Sequence, residues 1–324
     1  MSRMQEQINN HQPKTYAGID VGKDHLDLFI HPAGLSLQVK NNKSGIKTLI
    51  KTFSNHEVDA AALEATGKYH RLAHTMLHDA GFTVSVINPF RSRQFTDSLG
   101  WLAKTDKIDA EALALYTARM KPEPTKPPEE AFKILRDLQA ARRQVVNEVS
   151  DLKRQLKTTD HPLAARQIRA RIAMGERHKL VLEKEIHKAI AENSDLKNKF
   201  DILTSIPGIG ATSASILLSE LSELGQVNVR QIASLAGVAP MNWDSGAKNG
   251  KRMIRGGRPY VRNTLYMCAV TCVTRSNSFG ETYRHLVSRG KEPKVALTAV
   301  MRKLIILANT LIAENRKWQP QCPS

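Results

Sequence analysis

Four carboxylates stand out by type and placement: Asp20, Glu64, Asp106 and Asp109. Asp20 sits within the alternating run YAGIDV, where an ionised side chain costs roughly several kcal/mol unless it is paired or bound to a cation. Glu64 directly follows the apolar stretch VDAAAL. Asp106 and Asp109 lie three apart in a helical pattern and so share one face. Carboxylates brought together repel, and a divalent cation removes that penalty. A set of oxygen donors favours Mg²⁺ or Mn²⁺ over zinc. Two such ions ~4 Å apart stabilise both the attacking and leaving oxygens of a phosphoryl transfer. Each acid also has an ordinary reading, as a turn-forming Asp or a solvated helix face. Their joint order carries the argument.

A second constellation occupies residues 235–262, LAGVAPMNWDSGAKNGKRMIRGGRPYVR. Lys248, Lys251, Arg252, Arg255, Arg258 and Arg262 face a single acid there, Asp244. Glycines between them allow a phosphate to approach the backbone, and guanidinium groups bind phosphate oxygens in pairs. Ser245 heads this loop. A serine hydroxyl needs a base, a metal or a positive field to become a nucleophile; the loop supplies the field and no evident base. The alternative is a turn serine in a DNA-contacting loop. Upstream, Pro207-Gly208-Ile209-Gly210, followed by the small Ala214, resembles a helix-hairpin-helix turn. Gly208 and Gly210 would then aim helix N–H groups at DNA phosphates. An ordinary packing corner fits the same residues.

The elements that must hold these groups follow from periodicity. Residues 1–14 are polar and read as a disordered lead-in without the apolar core of a signal peptide. Residues 15–30 read as two short strands around a tight turn, 58–63 as a third strand, 66–80 as a helix and 82–87 as a strand. A helix follows from Thr105 and ends at Pro122. Strands alternating with helices predict an α/β layer over residues 15–120. KPEPTKPPEE (121–130), with its four prolines, reads as a linker. Residues 131–200 predict two long antiparallel helices with a coiled-coil-like stripe, Leu138, Ala141, Val145, Val149, Leu152 and Leu156. Ile168, Ile172, Leu182, Ile186 and Ile190 line the second helix. Residues 201–324 predict a mostly helical domain with helices at 196–205, from Ala211, at 260–274 and at 293–314.

Charge points to the partner. The formal net charge of +17 favours a polyanion, and nearly all of the excess lies beyond residue 130. Cys268 and Cys272 read as small buried apolar residues rather than zinc ligands, and three cysteines in all suit a reducing cytosol. No run of 18 apolar residues predicts a membrane span.

The order strand-Asp, strand-end Glu, helix DxxD within an α/β layer matches the ribonuclease-H-like nuclease fold, in particular its Holliday-junction-resolvase (RuvC-like) branch. GIDVGK also resembles the first phosphate hairpin of sugar-kinase and actin-type ATPases, but the second Gly-rich hairpin those proteins need is missing from residues 130–324. Taken with SIPGIGATSA, LAGVAP, DSG and RMIRGGRPYVR, the acidic motifs GIDVGKDHLD, LEATGKYH and AKTDKIDAEALA resemble the "IS one-ten" family of bacterial insertion-sequence transposases, the DEDD transposases. The likeness runs from about Tyr16 to Lys303, with least motif content in 131–200.

The resemblance implies more than the residues do alone. Asp20, Glu64, Asp106 and Asp109 would bind Mg²⁺, and Ser245 would attack a DNA phosphate to form a phosphoserine link. Partners would be donor and target DNA and an element-encoded bridge RNA, which would carry the sequence readout. Family members act as homo-oligomers, expected to be tetramers, with the acids of one subunit serving the serine of another, in a cytoplasmic, DNA-associated protein with no membrane partner. Two rival functions stay open: a metal-dependent resolvase nuclease in which Ser245 is structural, and a nucleic-acid-binding scaffold.

Overall fold

The computed structural model describes residues 14–101, 105–241, 252–274 and 278–319. The chain divides into two compact units that meet at Pro127 and Pro128, each described by itself.

The first unit is built on a five-stranded mixed sheet. Its elements are β1 (Thr15–Val21), β2 (His25–His31), β3 (Leu35–Lys40), α1 (Lys43–Asn55), β4 (Val58–Glu64), α2 (His70–Asp79), β5 (Val84–Ile87), α3 (Pro89–Ser98) and α4 (Asp106–Met120). The sheet order is β3-β2-β1-β4-β5; β2 runs antiparallel to β1 and β3, while β1, β4 and β5 are parallel. Alternation in β1 sends Ala17, Ile19 and Val21 into a core with Ile46, Leu49 and Phe53 of α1 and Ala73 and Leu77 of α2. Gly18 and Asp20 take the opposite face, where α4 packs. Phe29 joins Ala110 and Ala114 there, and Ala62 joins Leu113 and Tyr116.

Three elements of this unit, β3, α1 and α3, have no counterpart in the sequence reading. The helix expected from residue 66 starts at His70, because residues 66–69 form a turn closed by Tyr69 N–H donating to the Thr66 carbonyl at 3.0 Å. The proline-rich stretch expected as a linker is docked in part. Thr125 N–H donates to the Val84 carbonyl at 2.9 Å, and its hydroxyl accepts from Val86 N–H at 3.1 Å. The Ser85 hydroxyl reaches the carbonyls of Pro122 and Glu123 at 3.1 and 3.0 Å.

The second unit contains α5 (Glu130–Leu156), α6 (Pro162–Glu192), α7 (Ser194–Ser205), α8 (Ala211–Glu220), α9 (Val229–Leu235), β6 (Pro240–Met241), β7 (Met253–Ile254), α10 (Pro259–Val273), α11 (Ser278–Ser288) and α12 (Pro293–Ala313). The long helices α5 and α6 pack on one another. Their stripe departs from expectation at one position: Ala141 is exposed. Its neighbour Arg142 turns inward instead and binds Glu183 of α6 through Nε and Nη2 at 2.9 and 2.6 Å. The root of this pair is continuous with the helices beyond it, since Leu135, Ile186 and Ile190 share one core with Leu217, Leu265 and Leu304. By length and hydropathy alone α12 could cross a membrane, although Arg302 and Lys303 interrupt its apolar run. Its buried Val300, Leu304, Ile305, Ala308 and Leu311 make it a central helix of this core.

Candidate active site

The acidic set is assembled by a close helix–strand contact. A Cβ on Gly18 would stand 2.1 Å from the Ala110 carbonyl oxygen and 2.3 Å from Ala114 N. Only glycine therefore lets the backbone of α4 press onto β1. That contact brings the first turn of α4, with Asp106 and Asp109, towards Asp20 two residues further along β1. Thr105 caps the helix, its hydroxyl accepting from Ile108 N–H at 3.3 Å. The N-terminal end of the helix dipole favours the two acids in its first turn. Glu64 closes β4, the parallel neighbour of β1, whose register pairs Ile19 with Leu63. Asp20 and Glu64 thus end adjacent parallel strands, the place where open α/β sheets bind ligands.

Electrostatics show that Asp20 feels the other three acids. The Asp20 carboxyl is pushed up to about 6, by burial first and then by the charge of Asp109; the Val21 backbone hydrogen bond opposes this, and Asp106 and Glu64 add smaller upward contributions. Asp106 is exposed, while Asp20, Glu64 and Asp109 are half-buried. Among the described residues, no three His, Cys, Asp or Glu side chains are gathered closely enough to hold a metal ion directly. The donor chemistry nonetheless fits a hard divalent cation: oxygen donors only, mutually repelling, one of them desolvated. A fifth carboxylate escaped the sequence reading. Asp27 lies opposite Asp20 across β1 and β2 and accepts a 2.9 Å hydrogen bond from Gln38 Nε2. Strand alternation was the signal for it, since cross-strand partners share a face.

The basic loop is less completely described. Ser245, Lys248 and Lys251 fall in 242–251, outside the described residues. Both ends of that segment are described: β6 and β7 form a short antiparallel ribbon pairing Met241 with Met253 and Pro240 with Ile254. Arg252 and Arg255 stand exposed beyond it. Arg262 is turned back on the loop, Nη1 donating to the Gly256 carbonyl at 2.7 Å.

Arg258, expected to grip phosphate, is instead engaged within the protein. Its Nη1 and Nη2 donate to Glu223 Oε2 and Oε1 at 2.8 and 2.6 Å, and Nη1 also reaches the Glu220 carbonyl at 2.5 Å. Burial works against the charge on Glu223, yet the hydrogen bonds and charge of Arg258 outweigh it and hold that carboxyl below the usual range.

The α7–α8 turn places its two glycines differently. Gly208 faces α10, where a Cβ would meet Cys272 Sγ at 2.2 Å, and the Cys272 thiol donates to the Pro207 carbonyl at 2.9 Å. Cys268 and Cys272 are both buried, and neither forms a disulfide among the described residues. Gly210 is exposed and begins α8 with no side-chain cap. A cavity of about 410 Å³ opens beside the turn, lined in part by Ser205, Gly210, Ser213, Met267 and Thr271.

Comparison with known proteins draws the two units together. A transposase family model covering DEDD transposases matches residues 17–159, and the model "Transposase IS116/IS110/IS902 family" matches 200–284. The pilin gene-inverting protein of Moraxella bovis is 28% identical, over 94% of this chain and 98% of its own length. The insertion element IS116 44.8 kDa protein of Streptomyces clavuligerus is 23% identical, over 98% of this chain and 99% of its own. Among solved structures, T. thermophilus RuvC in complex with Holliday junction substrate covers 35% of this chain and 99% of its own, at 18% identity and a TM-score of 0.28, too slight an overlap to carry a conclusion.

Proposed function

The chain belongs to the IS116/IS110/IS902 family of transposases, and from that premise we propose that it cuts and rejoins DNA by serine-linked strand exchange. The observation that supports this reading is Asp20, desolvated and raised by the charges of Asp109, Asp106 and Glu64, with Glu64 ending the parallel neighbour strand and the other two in the first turn of α4. Such a set binds a divalent cation, Mg²⁺ or Mn²⁺. When bound, the cation would stabilise charge on phosphate oxygens during displacement. The mixed sheet with its acids at the carboxyl ends of β1 and β4 supports a ribonuclease-H-like domain. The name of the Moraxella relative, a gene-inverting protein, supports rejoining as well as cutting.

In this mechanism the Ser245 Oγ attacks a scissile phosphorus and loses its proton. The 3′ oxygen departs as a hydroxyl, leaving the 5′ phosphate esterified to serine. A 3′ hydroxyl from another strand then attacks that ester, restoring the phosphodiester and the serine. Two bonds break and two form, so no external energy source is needed. Arg252, Arg255 and Arg262, with Lys248 and Lys251, would bind the flanking phosphates. The exposed start of α8 at Gly210 would hold a further phosphate without reading sequence. Sequence choice would fall to a bridge RNA, and the chain would act as a homo-oligomer, a tetramer in the full reading. An exposed apolar stripe on α6, with Leu163, Met174 and Val181 separated by near-whole helical turns, supports self-association.

The test is to mix the full chain with Mg²⁺ and cognate element-end DNA, denature, and look for protein on a 5′ end. Adduct that vanishes in Ser245→Ala supports the reading. Cleaved DNA with free ends and an active Ser245→Ala protein would establish the resolvase-like nuclease in its place. Sequencing RNA that copurifies tests the guide, and the absence of any enriched species removes it.

A further inference from the structure

The second unit contains a continuous network of charged and aromatic side chains at the root of the 242–251 segment. On the carboxyl side, Arg258 N–H donates to the Leu235 carbonyl at 2.8 Å while its guanidinium forks onto Glu223 and reaches the Glu220 carbonyl. Directly before it, Gly257 takes φ +67°, and a Cβ there would lie 2.2 Å from Gly237 N and 2.8 Å from the Ser234 carbonyl. Gly237, just before β6, belongs to the amino side of the same loop. The two strands of the root are therefore clasped backbone to backbone, three residues before β6 and three after β7. Arg258 closes the clasp.

The network extends to the long helices. Arg143 of α5 stacks over the Tyr260 ring with 4.7 Å to its centroid and pairs with Glu220 Oε1 at 3.4 Å. The charge of Arg142 acts on Tyr260, whose hydroxyl is pushed up chiefly by burial, and Arg142 is tied to α6 through Glu183. Tyr260 is two residues beyond Arg258, at the start of α10. Six charged side chains and one ring thus connect the α5–α6 pair to the loop root. A guanidinium forked onto a carboxylate at 2.6–2.8 Å has its planar donor edge already committed and is a poor phosphate ligand.

We propose that Arg258 and Glu223 are positioning residues, whose ion pair closes the Gly237–Gly257 clasp, is braced by Arg142 and Arg143, and fixes the root of the segment carrying Ser245 rather than gripping nucleic acid. This rests on the reading of Ser245 as the nucleophile. Ser245 lies four residues past Met241 and eight before Met253, so a shift at the root moves the hydroxyl relative to the scissile phosphorus. Misplacement of a reacting group by about 1 Å costs on the order of 100-fold in rate.

The experiment uses the full chain and a labelled element-end duplex. Affinity is measured across a salt series, and adduct formation is timed at saturating DNA. The variants are Arg258→Ala, Arg258→Lys, Glu223→Gln and the exchange Arg258→Glu with Glu223→Arg. Expected are affinities and salt slopes like those of the parent, adduct rates lowered roughly 10- to 100-fold in the three single variants, and recovery in the exchange. Arg258→Lys keeps the charge but loses the fork, which separates positioning from loss of fold. The inference is overturned if Arg258→Ala weakens binding and lowers the salt slope by about one while Glu223→Gln leaves binding unchanged or tighter, because Arg258 is then a phosphate ligand. If the parent forms no adduct, the serine reading fails on its own. Metal-dependent strand cleavage at saturating DNA then replaces adduct formation as the rate, with the same two outcomes for Arg258 and Glu223.

Discussion

The two candidate regions hold their charges in opposite ways. In the first unit, Asp20 is pushed towards protonation by burial and then by the like charges of Asp109, Asp106 and Glu64. In the second, Arg258 of the basic loop has both arms on Glu223. Charges left in conflict by the fold await something the chain does not supply, whereas charges satisfied by the fold are holding it together. Residue type alone does not separate the two. An aspartate in an apolar strand and an arginine in a basic loop both look functional, and the surroundings assign them differently.

The strongest challenge to this contrast is Asp109→Asn. Losing one carboxylate of the acidic set should lower metal-dependent DNA cleavage roughly 100- to 1000-fold, measured as single-turnover strand cutting, with DNA affinity retained. Activity within a few-fold of the parent would remove the acids from the chemistry. Next comes Gly18→Val, which forces a branched side chain into the backbone of α4. It should destabilise the protein by about 3 kcal/mol or more, read from denaturant unfolding. A neutral result would mean that α4 does not rest on β1. Glu223→Gln should cost about 1–2 kcal/mol by the same measurement, since its pair with Arg258 is about one-third exposed and partly screened by solvent.

The smallest effect has the opposite sign and tests the contrast most directly. The Asp20 carboxyl titrates near 6 in the folded chain against 3.8 ordinarily. Between those values the folded state binds the extra proton, so its contribution to stability is complete below 3.8 and is lost as pH rises through 6. Asp20→Asn in metal-free protein should therefore raise the thermal midpoint slightly at pH 7 and flatten its dependence between pH 4 and 6. A lower midpoint at pH 7 would show that Asp20 is compensated after all. Metal affinity of the parent should fall as pH drops below about 6, because protons compete for the same oxygens.

Much of the acidic region could be read from the sequence because its determinants are local. Alternation placed Asp20 in a strand, VDAAAL placed Glu64 at a strand end, and the three-residue spacing placed Asp106 and Asp109 on one helix face. The role of Gly18 was invisible, because the backbone it meets is more than ninety residues away. The ion pair of Arg258 was hidden for a related reason. Its partner Glu223 is 35 residues upstream in the α8–α9 connection, and a count of local charge cannot find it. Ala141 went wrong by phase: a stripe at mixed spacings of three and four fitted two neighbouring faces, and the pull of Glu183 on Arg142 selected the other. Helix α3 is only weakly amphipathic, whereas β3, with Leu35, Leu37 and Val39 alternating, and α1, with Ile46, Leu49 and Phe53 on one face, carried a regular apolar spacing that the sequence reading passed over.

The docked stretch at 122–125 has a consequence for how the sheet ends. β5 is an outer strand, hydrogen-bonded on one side to β4, and its free side would otherwise offer unpaired amides and carbonyls to any extended chain that met it. Thr125 takes up the Val84 carbonyl and the Val86 N–H, while Pro122, Pro124 and Pro127 around it have no N–H to offer a newcomer. The chain leaving the first unit thereby seals the edge it passes, leaving one route fewer to uncontrolled strand-to-strand aggregation.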